Sequence, residues 1–112
     1  MSAPGAPDAQ AEAATVKDVP DEGRFEISLD GQPAGFTEYV LRPGLIAFVH
    51  TEIDERFQGR GLADRLIAAA LDDARRRELA VLPFCPFVQG FIARHADYRD
   101  LVPEQYRERF GL

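Results

Sequence analysis

The residues with the clearest chemical potential lie between an apolar stretch and a helical one, in Asp54-Glu55-Arg56-Phe57-Gln58-Gly59-Arg60-Gly61-Leu62-Ala63. Two glycines around one arginine, just ahead of a helix, are what a phosphate-binding turn requires. Glycine lets the backbone approach an anion, successive N–H groups converge on it, and the helix N-terminus adds partial positive charge. Arg56 and Arg60 can add charge-assisted hydrogen bonds. A P-loop would continue Gly-Lys-Ser/Thr, whereas Leu62-Ala63 follows Gly61. A dinucleotide fingerprint needs a third small residue where Asp64 stands. A different phosphate ligand is implied.

Two further groups could handle a reacting centre. Cys85 immediately precedes Pro86, at the expected N-cap of a helix, where the partial positive charge favours thiolate. It can serve as a nucleophile with His50 as its base, or as an inert core residue. In the strand Phe48-Val49-His50-Thr51-Glu52-Ile53, Phe48 and Glu52 are the period-two neighbours of His50. Glu52 can orient His50 or act as base itself; a hydrogen-bonded structural histidine is the competing reading. Glu38 and Tyr39 are weaker candidates for an acceptor site. His95 is expected at a helix C-terminus, where it satisfies the dipole. No pair of His, Cys or acidic residues has ligand spacing, so no metal is expected.

The elements that position these groups are readable from periodicity. Phe25, Ile27 and Leu29 alternate with polar residues as a half-buried strand. Asp30-Gly31 makes a turn, a second strand covers Ala34–Leu41, Arg42-Pro43-Gly44 turns again, and Leu45–Ile53 is the most apolar strand. Short turns predict an antiparallel meander. Leu62, Leu66, Ile67, Ala70, Leu71 and Ala74 then recur on one face of a helix from about Gly61 to Arg77. Ala80–Phe84 is a short strand expected parallel to Leu45–Ile53, and Pro86 opens a second helix ending near His95. The fold class is α/β (α+β), with a mixed, mainly antiparallel sheet and helices packed on it.

The chain has 112 residues, 46% of them hydrophobic, which suits one domain with a core. Residues 1–22 are rich in Ala, Pro, Asp and Glu and are expected to form a disordered acidic tail, with the domain spanning 23–112. The net charge of −6 argues against nucleic-acid binding. No apolar run approaches the roughly 20 residues of a membrane span, and no secretory leader is expected. A single cysteine, Cys85, excludes an internal disulfide framework. A cytoplasmic monomer or weak dimer is expected.

Arg56-x-x-Gly59-x-Gly61, set between a meander and a helix, resembles the pyrophosphate-binding loop of the GNAT superfamily of acetyl-CoA-dependent acetyltransferases. Phe48–Ile53, Pro83-Phe84-Cys85-Pro86-Phe87 and Arg94-His95-Ala96-Asp97-Tyr98 are similar to a small, single-domain GNAT-like family lacking the superfamily's usual N-terminal helices. The likeness covers roughly Phe25 to Leu101. It implies acetyl-CoA or CoA held between splayed strands, with the pantetheine arm on the backbone at Thr51–Ile53 and the pyrophosphate on amides from Gln58 to Ala63, Gly59, Arg60, Gly61 and Leu62 included. It also implies a His50–Cys85 pair and acyl transfer to an unidentified amine or small-molecule acceptor. The second helix lacks the Asn and internal Tyr that many GNAT enzymes use, which leaves a CoA-binding module without turnover as the alternative.

Overall fold

The computed structural model describes residues 13–112. Its centre is one five-stranded sheet in sequence order: β1 (Ala14–Val19), β2 (Arg24–Leu29), β3 (Gln32–Arg42), β4 (Leu45–Ile53) and β5 (Ala80–Pro83). β1 to β4 form the expected antiparallel meander, and β5 lies parallel to β4. The β2–β3 turn puts Asp30 and Gly31 both at positive φ (51° and 80°). That is the backbone whose twist suits a two-residue hairpin.

One expectation is corrected. Ala14–Val19, assigned to the acidic tail, is a strand paired along its length with β2, and Pro20–Glu22 form a 3-10 turn. Ala14 and Val16 pack on the core, while Tyr39 Oη donates a 2.6 Å hydrogen bond to Asp18. This anchor is invisible to composition because its partner lies far along the chain. Residues 1–12 of that expected tail lie outside the described residues.

Helix α1 (Leu62–Arg76) buries the six apolar positions expected of it. Ala70 and Ala74 are small enough to let the helix lie close to the sheet. Thr37, Phe48, Ile67, Ala70, Leu71 and Val88 meet in one cluster, so α1 and α2 (Pro86–Arg94) cover the same sheet face. Each fully buried Leu or Ile there contributes about 1.5–3 kcal/mol. Arg75, Arg76 and Arg77, at the negative end of α1, pair with Asp100, Asp73 and Asp18. A 3-10 turn at Ala96–Leu101, α3 (Glu104–Arg107) and a last 3-10 turn at Glu108–Phe110 complete the chain. Among the described residues no helix is long and apolar enough to cross a membrane.

Candidate functional site

β4 holds β5 only from Leu45 to Phe48. There the two strands part. The last tie is Cys85 N–H donating to Phe48 O at 2.9 Å, after which β4 continues to Ile53 paired only with β3. Asp54 N–H donates to Ala34 O across β3. Backbone alternation along a strand therefore turns His50 and Glu52 towards β3, and turns the N–H and C=O groups of Thr51 and Ile53 into the open seam.

At the end of the seam the chain tightens into a 3-10 turn, Glu55–Phe57, capped by the Asp54 carboxylate on Arg56 N–H. The same carboxylate takes two bonds from the Arg56 guanidinium, at 3.1 and 3.2 Å. This pairing holds Asp54 below the usual carboxylate range. Arg56 thus fixes the loop rather than reaching into the cleft. Arg60 lies 5.7 Å above the Phe57 ring and makes no ion pair among the described residues.

Gly59 and Gly61 both have positive φ, 82° and 73°, and a Cβ on either would meet nothing within 4 Å. The space over both glycines is open. Gly61 caps α1 without a side chain, and the first backbone bond of the helix is Arg65 N–H to Gly61 O at 3.2 Å. The amides of Leu62, Ala63 and Asp64 therefore lack an intrahelical acceptor. They border a cleft of about 360 Å³, walled by Ile53, Phe57, Gln58 and Phe87. Open backbone donors, a cavity and positive-φ glycines fit a diphosphate joined to an extended arm. Gln58 Nε2 presently reaches Ile53 O at 3.4 Å.

Phe87 is an addition to the sequence reading. It was expected on the apolar face of the second helix, yet it is 53% exposed and turned to the cleft. An amphipathic pattern does not distinguish a core ring from one lining a cavity at the helix start.

The expected His50–Cys85 pair is not formed. Cys85 is buried, and its Sγ lies 3.2 Å from Thr51 Oγ1, which in turn lies 2.8 Å from Thr37 Oγ1. His50 instead bonds Glu52, Nε2 to Oε2, at 2.7 Å. The cause is a β-bulge. Opposite Glu38 and Tyr39 stand His50 and Phe48, so Val49 is one residue too many, and an extra residue exchanges the two faces of a strand. Thr51 therefore shares the buried face with Phe48, while His50 and Glu52 emerge on the other. A carboxylate only accepts, so Nε2 carries the hydrogen and Nδ1 is left to accept a proton. His95 meets its expectation: its Nδ1 lies 2.9 Å from Phe91 O at the end of α2. Among the described residues no group of three or more His, Cys, Asp or Glu is placed to hold a metal.

Residues 24–101 match the family model described as GCN5-related N-acetyl-transferase. The chain belongs to this acetyltransferase family. Acetyl-CoA is the co-substrate that membership implies, in keeping with the seam and the loop. A solved ribosomal-protein-alanine N-acetyltransferase from Brucella melitensis biovar Abortus 2308 is similar, with 25% identity and a TM-score of 0.47 over 76% of this chain. The match covers 58% of that enzyme, so the acetyltransferase domain described here spans under two thirds of its length. A search of curated proteins gives no match.

Proposed function

We propose that the domain transfers the acetyl group of acetyl-CoA to the nitrogen of an amine. The observation that carries this reading is the continuity of the β4–β5 seam with the glycine loop. Backbone groups of Thr51 and Ile53 would pair with the amides of the pantetheine arm, as an added strand pairs with a sheet edge. The amides from Gly59 to Ala63, with Arg60, would take the pyrophosphate. Gln58 would leave Ile53 O to admit the arm, and Phe87 would cover it.

The geometry favours direct attack over an acetylated cysteine. Cys85 is 1% exposed and has Thr51 for its neighbour rather than a base. In the direct route the amine nitrogen bonds the thioester carbonyl carbon, the C–S bond breaks, and the sulfur leaves as the CoA thiolate. The amine proton passes to His50 Nδ1, and Glu52 stabilises the imidazolium. General-base catalysis of this kind contributes about 10²–10⁴-fold.

The test follows thiol release and protein mass together on mixing with acetyl-CoA and a panel of amines. Direct transfer predicts amine-dependent thiol release without an acetylated protein, kept in Cys85→Ala and reduced about 10²–10⁴-fold in His50→Ala. Accumulation of acetyl-Cys85, with activity lost in Cys85→Ala, would overturn it. Tight CoA binding without any thiol release would favour the binding module.

A further inference from the structure

The sheet face turned away from α1 and α2 carries an ordered array of side chains beside the seam. Cross-strand register places Glu26, Phe36 and Glu52 in one row, and Arg24, Glu38 and His50 in the next. Most of these groups have partners within the array. Arg24 bridges Glu26 at 2.8 Å and Glu22 at 3.1 Å, and its guanidinium lies 4.6 Å over the Phe36 ring. His50 is held by Glu52. Glu38 is the exception. It is half-buried between Arg24 and His50 and makes no ion pair or side-chain hydrogen bond among the described residues.

We propose that this face binds the acceptor and selects an amine carrying a second positive charge, with Glu38 as the specificity-determining residue. The proposal rests on the acyl-transfer reading above and adds the substrate class. The array holds three carboxylates against one arginine already spanned by two of the acids around it, so its surplus charge is negative. A hollow of about 190 Å³ bordered by Phe36, Glu52 and Asp54 opens at the Glu52 end of the array, in the row next to Glu38 and His50.

The register also limits length. Glu38 and His50 stand opposite each other on adjacent strands about 4.8 Å apart, while Glu26, two strands from His50 and in the neighbouring row, is more than roughly 10 Å away. A nucleophilic nitrogen at His50 with its second ammonium over Glu38 therefore suits a spacer of roughly three to five methylenes. A neutral amine of the same length would leave the Glu38 carboxylate without its countercharge.

Steady-state kinetics at saturating acetyl-CoA, comparing 1,4-diaminobutane with butylamine, test this. One charge-assisted hydrogen bond predicts a kcat/KM ratio of about 30 in favour of the diamine, set by KM. Glu38→Gln should bring the ratio to within about threefold. Equal kcat/KM for the two amines in the unaltered protein overturns the subsite and leaves acyl transfer standing. A ratio that survives Glu38→Gln also overturns the assignment to Glu38. No thiol release with either amine or with any other, despite CoA binding, defeats acyl transfer and the subsite together.

Discussion

Thr51 Oγ1 lies 3.2 Å from Cys85 Sγ, across the last residues that join β4 to β5. With Thr37 Oγ1 2.8 Å beyond, the three buried side chains satisfy one another. Replacing one hydroxyl by a methyl leaves buried polar atoms unpartnered, which costs the full desolvation term. Thr51→Val should therefore lose about 1–3 kcal/mol in urea denaturation, and adding Thr37→Val should cost less than the sum of the singles. Strict additivity would show that the chain of contacts contributes nothing.

Two glycines should respond in opposite senses. A Cβ on Gly35 would lie 2.5 Å from Glu52 O, in backbone held by the β3–β4 pairing. Gly35→Ala should cost about 1–3 kcal/mol by overpacking and disturb the end of β4. At Gly90, inside α2, a Cβ would meet nothing within 4 Å. Gly90→Ala should stabilise by about 0.5–1 kcal/mol, the helix-propensity gain. Denaturant midpoints for the pair check both signs at once.

Tyr39 ties β1 to the domain, and its ionisation is displaced well above the ordinary value of about 10. Burial is the main cause, followed by the hydrogen bond to Asp18. Because the folded-state value is raised, the stabilisation is complete below the unfolded value and is lost as pH rises through the folded one. Stability should therefore decline above about pH 10. Tyr39→Phe keeps the ring beside Phe25 and Phe48 but should lose about 1 kcal/mol at neutral pH and show a flatter alkaline decline. Melting midpoints across that range are the measurement. Parallel profiles for the two proteins would contradict the assignment.

Much of this was legible before the structure. Alternation at Phe25, Ile27 and Leu29, the Asp30-Gly31 turn and the apolar face from Leu62 to Ala74 depend on local geometry, and each element lies within a residue or two of its expected bounds. Gly59 and Gly61 were legible because positive φ selects glycine. The facing of His50 was not. Period-two counting assumes an unbroken ladder, and one extra residue at Val49 reverses every side chain after it. β1 escaped notice for another reason. Its inward side chains are Ala14, Val16 and Asp18, and the last is half-buried against Tyr39 and Arg77, contacts that no local window contains.

The most direct test of the central claim is an amide chemical-shift titration with CoA, repeated on Gly61→Val. Open backbone donors along the seam and at the start of α1 predict the largest shifts at Thr51, Ile53 and Gly59 to Asp64. In Gly61→Val, where φ is 73° and a branched side chain would fill the approach to the amides, those shifts should vanish while the remaining spectrum stays folded. Shifts confined to another surface, or unchanged CoA affinity in Gly61→Val, would contradict the account.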